Sequence, residues 1–335
     1  MKQVVFRDQA RAWLTLARPS SDGAPQVFTA AGRRVVVSEF VNCPDQFQLR
    51  ETLLVRGNMR CGIGSRFDGP VYVGGDCVAG KNSQFDVLCV EGSATLGPNV
   101  QVNQWVHALG RLELRAGARV GGAATSDSGI QVGIDAGAVL LFAPEVVTAG
   151  RLPTGTDVPP VTEFLEIPTP ASGKRPQLGS VRGFQENKLT ALGADTWVYD
   201  GSLHLPQPVL LTSKLVVRGS FVCPPSSLLE DDVKCGGSLR IGAGSLCRGN
   251  LISRGELTLE EECLFSGDLD AGTLLRLSAG VRGFREGGPV SVTSRDRLLL
   301  EPNVVVRGHI RAEAGARATQ PAVEGGLSLL LAENA

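Results

Sequence analysis

Aromatic side chains are scarce in this sequence, with 12 Phe, 3 Trp and 2 Tyr in 335 residues, and histidine (3) and methionine (2) are scarcer. So few large rings disfavour a core built on bulky aromatic packing. Neither sign of charge is in excess: 33 basic residues face 34 acidic ones, and runs such as Arg33-Arg34 are short. A nucleic-acid or other polyanion partner is therefore not expected. No stretch approaches 18 consecutive apolar residues, and the opening MKQVVFRDQARAWLTLARP lacks the uninterrupted apolar region of a secretory signal, so a cytoplasmic location is expected. There is no CxxC pair. The eight cysteines, at 43, 61, 77, 89, 223, 235, 247 and 263, are separated by 18, 16, 12, 134, 12, 12 and 16 residues, spacings of no use to a metal site. We expect no metal and no cofactor.

What is abundant is glycine, 42 residues without a G-X-Y period, which excludes collagen and points to a turn-dense fold. With 42% hydrophobic residues the chain is too apolar for disorder, and its length suggests two domains. Multiples of six recur among the cysteine gaps, which points to a structural repeat of that period.

From Leu215 onward, apolar or small residues come in pairs two apart, and the pairs recur every six residues. Leu215/Val217, Phe221/Cys223, Ser227/Leu229, Val233/Cys235 and Leu239/Ile241 begin a series that holds register to Val281/Gly283. Two inward residues flanking one outward residue make a short strand with one buried face, and the rest of each hexad turns the chain. Three hexads make eighteen residues, and Phe221/Cys223, Leu239/Ile241, Leu257/Leu259 and Leu275/Leu277 form one column. This is the pattern of a triangular parallel β-helix with about 18 residues per turn, stacked about 4.8 Å apart. Cysteine fits it as a small buried hydrophobe; Cys89 alone falls between inward positions, Leu88 and Val90.

The first half repeats the pattern from Val35/Val37 through Val41/Cys43, Phe47/Leu49, Leu53/Val55 and Met59/Cys61 to Ala118/Val120, with one residue dropped between Phe85 and Leu88. Adding 162 lays LLVRGNMRC (53–61) over LVVRGSFVC (215–223) and Pro44 over Pro206. The expected fold is all-β: two tandem triangular parallel β-helices joined by a Pro-rich segment. Residues 1–34 read as an N-terminal cap or tether, 35–143 as the first β-helix, 144–180 as a linker or strap with seven prolines, and 181–335 as the second β-helix with a C-terminal cap. Whether the two stack end to end or lie side by side is left open by the sequence.

The identity of the inward pair separates two hexad-built families. Hexapeptide acyltransferases place a small residue two before the aliphatic one, whereas here the earlier position is usually large: Leu239, Leu251, Leu257, Leu269 and Leu275. With these pairs and with GRLELRAGARVGG (110–122) and SRGELTLEEECLFSGDLDAG (253–272), the chain resembles the bactofilins, polymer-forming bacterial cytoskeletal proteins. The resemblance covers about 35–120 and 197–310. It implies a right-handed β-helix, self-association without nucleotide through its ends, contact with envelope-associated protein partners, and peripheral attachment at the inner membrane. The chain departs from the family in carrying two cores.

A parallel β-helix leaves unpaired backbone groups at its first and last turns. Candidate self-association ends are Val35, Val37, Val41, Phe47 and Leu49 at one extreme and Leu298, Leu300, Val304 and Val306 at the other. The opening segment, with Val4, Phe6, Trp13 and Leu14, reads as a short amphipathic helix that either covers the first turn or touches a membrane. No catalytic residue is assigned. His107 and His204 fall on outward positions without an acid that the sequence can place beside them, and Glu260, Glu261, Glu262, Asp268 and Asp270 read as a solvated face. Gly62-Ile63-Gly64 and Gly242-Ala243-Gly244 recur at corners of the repeat and lack the strand, helix and Lys-Ser/Thr pair of a phosphate loop. The expected function is a non-enzymatic, self-associating scaffold for envelope or cell-shape machinery; the alternatives are an acyltransferase-like or sugar-modifying enzyme and a monomeric interaction module.

Overall fold

The computed structural model describes residues 2–17, 24–149, 164–172 and 186–320. Apart from one long helix, α1 (Lys2–Leu16), it is a β-solenoid of about 14 turns with about 18 residues per turn. Each turn contributes three short strands to three faces, and each strand hydrogen-bonds in parallel to the strand one turn on. On the first face Leu53 pairs with Val71, Val71 with Leu88, Leu88 with Val106 and Val106 with Ala124. The turn between Phe85 and Leu88 is one residue short, as the sequence indicates: Phe85 lies 18 residues from its partner Phe67, Leu88 only 17 from Val71.

Like side chains stack inside. Phe47, Phe67 and Phe85 lie one above another, with ring centroids 5.8 and 4.9 Å apart. Phe221, Leu239, Leu257, Leu275 and Leu298 form a buried ladder in the second half. Serines at inward corner positions are satisfied by the backbone: the Ser65 and Ser83 hydroxyls both donate to the Gly62 carbonyl, at 3.0 and 3.1 Å, and Ser245 donates to Gly242 at 2.7 Å.

Glycine serves two corners for two reasons. At one corner successive turns carry a left-handed residue, supplied by Gly64 and Gly117 and equally by Asn82, Asn99 and Asp135. At the other, Gly57, Gly75, Gly92 and Gly110 stack directly, and each of the last three donates its N–H to the carbonyl of the glycine below at 2.9 to 3.0 Å. A Cβ on Gly75 or Gly92 would run into the backbone below it, so close approach demands glycine there.

The pairing continues beyond the register read from sequence. Strand Gly137–Thr148 forms the seventh turn of the first half, so Pro144 lies within a strand and not in a linker; it occupies a bulge between Ala143 and Val146, where its missing N–H breaks no ladder bond. Farther on, Leu165–Ile167 is also a strand, pairing with Val209–Leu211.

The two halves meet end to end, last turn to last turn. Strand Gly137–Thr148 pairs antiparallel with Val305–Ala318: Ala138 with Ala316, Leu141 with Ile310 and Val146 with Val306. The arrangement has a pseudo-two-fold character, since the first face meets the first face while the second and third exchange. Side chains tie the seam. Arg317 donates to Asp135 at 2.7 Å, Arg307 to Glu145 at 3.3 Å, the Thr148 hydroxyl donates to the Glu301 carbonyl at 2.6 Å and accepts from the Val304 N–H, and Phe142 stacks on His309 at 4.2 Å. One apolar core runs through the seam, from Cys43 to Ala318.

Candidate functional site

Three surfaces carry polar or apolar groups not consumed by the solenoid interior: the face under α1, the seam and the outer ends. On the first face the outward residues Leu54, Tyr72 and Cys89 stack in register, and α1 lies across them. Ala10 and Ala17 of the helix segment, Leu54, Tyr72, Cys89 and Trp105 are all buried, with Phe6, Trp13 and Leu14 packed against them. Phe6 meets the Trp105 ring edge to face at 6.1 Å. Polar contacts fix the helix. Arg11 pairs with Glu91, which also accepts from the Tyr72 hydroxyl at 2.9 Å, and burial pushes the Tyr72 phenol up to about 12. The Arg56 guanidinium donates to the terminal carbonyls of Leu14 at 2.9 Å and Ala17 at 2.5 Å, placing a cation at the negative end of the helix dipole.

The helix expected at the opening is thus present, but it lies along a side of the solenoid and does not cover its end. Phe6, Trp13 and Leu14 contact protein; Val4 falls among the residues whose side chains are not described. Sequence reasoning missed this face, although a signal existed: Leu54, Tyr72 and Cys89 are apolar at outward positions where neighbouring turns carry polar residues. The helix also explains a shift of register. Val35 pairs with Thr52 and Val37 with Leu54, a 17-residue step, so Val36 faces the core while Val35 and Val37 are buried toward α1. Both were expected to face inward; the corresponding Trp197 and Tyr199 of the second half do.

Beside α1 lies a groove of about 840 Å³, lined by Phe6, Trp105, Arg33, Arg50, Asp68 and Asp86 among others. Its charges are mixed and partly paired, Arg34 with Glu51 at 3.6 Å and Asp86 accepting from Gln104 at 2.9 Å.

The other candidates fall as follows. All four of Leu298, Leu300, Val304 and Val306 are buried and none lies at an extremity: Val304 and Val306 belong to the seam, and Leu298 and Leu300 pair with the seam strand from the turn beneath it. Val41, Phe47 and Leu49 are half-buried at the outer end of the first half, beside Phe40, which is 72% exposed. His107 is half-buried on the first face, its Nδ1 2.8 Å from the Thr125 hydroxyl, and burial lowers its pKa. His204 is exposed on an outer turn, and His309 stacks in the seam. Of the acidic run, Glu260 pairs with Arg240, and Asp268 accepts from Arg285 at 2.6 Å. All eight cysteines are buried, and burial raises every thiol, with Cys43, Cys89, Cys223, Cys235 and Cys263 pushed up to about 12. No helix among the described residues is long and apolar enough to cross a membrane.

Comparison with known proteins found no matching family model, no matching curated protein and no matching solved structure.

Proposed function

We propose that this chain is a non-enzymatic, self-associating solenoid scaffold, bactofilin-like in construction, in which two copies of one β-helical core have been fused and closed on each other through their last turns. The large inward residues of the hexads and the 162-residue internal offset support the resemblance. In this reading the long polar sides serve as a platform for envelope or cell-shape proteins at the cytoplasmic side of the inner membrane, and no cofactor takes part.

The observation that carries the reading is an end with unsatisfied strand edges. At the outer end of the first half, the strands Val41–Cys43 and Gln48–Leu49 each pair on one side only among the described residues, beside the exposed ring of Phe40. Such an edge is a template for another strand. Light scattering of the purified protein without nucleotide, over a hundredfold range of concentration, is expected to report reversible association. A monomer at every concentration contradicts the scaffold reading in its self-associating form.

A further inference from the structure

We propose that the outer end of the first half docks onto the same end of a second copy of this chain, closing a two-chain rod and not extending a filament. The proposal rests on the self-associating reading above and adds its surface and its stoichiometry.

The two outer ends differ. Each begins with a hairpin on the first face: β1 (Gln26–Ala30) pairs antiparallel with β2 (Arg33–Ser38), and Leu189–Leu192 pairs antiparallel with Thr196–Tyr199. In the second half a further strand, Leu165–Ile167, lies parallel on Val209–Leu211 of the third face, with Leu165 and Ile167 buried and the following Pro168 carbonyl accepting from the Trp197 indole at 2.7 Å. Pro206 and Pro208, between the second-face strand Leu203–His204 and the third-face strand Val209–Leu211, have no N–H to offer. That end is closed over its core.

The corresponding seat in the first half is β4 (Gln48–Leu49), which follows β3 (Val41–Cys43), and no described strand lies on it. The Phe47 and Leu49 carbonyls accept from Arg66 and Asp68 of the next turn, so strand alternation aims the N–H and carbonyl of Gln48 outward. The Val41 N–H and Cys43 carbonyl likewise bond to the next turn, which turns Asn42 outward. Above them no described strand caps the core. Val27 of β1 sits opposite Val36, which packs on the core, so its side chain projects over the core opening and is still 51% exposed.

A second copy fits this surface. The internal seam already shows the terminal turn of one repeat accepting the terminal turn of another that is turned end over end. At the outer end β1 stands one strand spacing above β2, so two copies cannot meet first face to first face as they do in the seam. A two-fold axis through the second face exchanges the first and third faces and sets β1 of each copy on β4 of the other. The inverted copy winds in the opposite sense. β1, antiparallel to β2, therefore runs parallel to the β4 it covers, the same seat and direction that Leu165–Ile167 takes on Val209–Leu211. Val27, Phe40 and Phe47 of both copies are then covered together.

Sedimentation equilibrium of the full chain is expected to give twice the chain mass, dissociating on dilution. Val27→Lys and Gln48→Pro should each raise the dissociation constant at least tenfold with circular dichroism unchanged, and with melting unchanged at dilutions where parent and variants are all monomeric, whereas His204→Pro at the opposite end should leave the dissociation constant as it is. Amide exchange at Asn42 and Gln48 should slow in the dimer and speed up on dilution. A monomer at every concentration overturns this proposal together with the self-associating reading. Filaments, or a dimer indifferent to Val27→Lys, overturn this proposal alone, and exchange protection that persists in the monomer does so too, by assigning the seat to the chain itself.

Discussion

Raising the pH above 9 under reducing conditions is expected to unfold this protein well before arginine titrates. All eight thiols are buried, and each holds its proton more tightly than the ordinary value of 9.0 because an apolar interior penalises the thiolate. A folded-state pKa raised above the unfolded one leaves stability intact below pH 9. Above it the unfolded chain loses its protons first, so stability falls until the folded thiols ionise near 12. One such thiol contributes about 1.4 kcal/mol per pH unit, and eight together contribute on the order of 10 kcal/mol per unit, comparable with the whole stability of a typical domain. The strand signal in circular dichroism should therefore collapse between about pH 9 and 12. Replacing Cys223 and Cys235 by Val should move the midpoint upward. A midpoint that ignores the loss of both thiols would remove them as the cause.

The second large effect is expected at the seam. Gly137 packs so closely on the facing strand that an added Cβ would overlap the Ala316 carbonyl, and backbone cannot move aside as a flexible side chain can. Gly137→Ala should cost about 3 kcal/mol, at the upper end for overpacking. It should also speed exchange at the amides of Asp135 and Ala318, which bond across the same junction to the carbonyls of Ala318 and Ala136 at 2.9 and 3.0 Å. Gly288→Ala, with nothing near its Cβ, should change stability by less than about 0.5 kcal/mol. Equal losses at both sites would mean that the junction is not packed as described.

Much of this architecture is legible in the hexads because a solenoid interior repeats its demands at every turn. Leu239, Leu257 and Leu275 meet the same neighbours, so the sequence repeats with the structure. The thiols were legible for the same reason: on one face Cys43, Cys61 and Ala79 form one inward column, and Cys77 follows Val41 and Met59 in the column beside it. What escaped lies where the period is broken. Val35 and Val37 keep the expected spacing yet face α1, because a 17-residue step carries Val36 inward. Pro144 argues against a strand in general, but a bulge accommodates it. The position of α1 is a matter of docking, and its only trace was the apolar outward stripe of Leu54, Tyr72 and Cys89. The direction in which the halves meet has no periodic signature, since it depends on how two terminal turns fit. The same limit put Val304 and Val306 at an expected free end when they lie buried along one edge of the chain's own seam.

That seam is the central claim, and one cross-link tests it. Val147 and Val305 face each other across it in antiparallel register, while their neighbours Val146 and Val306 fill the core. Facing residues of an antiparallel pair hold their Cβ atoms about 5 Å apart, within reach of a disulfide. If the second half instead followed the first head to tail, Val305 would lie at the far end of seven turns, roughly 30 Å away. A Val147→Cys/Val305→Cys variant, oxidised in the folded state while the native thiols stay buried, should give a disulfide within one chain, seen at monomer mass in denaturing gel and by peptide mapping. No cross-link, or one found only between chains, would contradict the fold described.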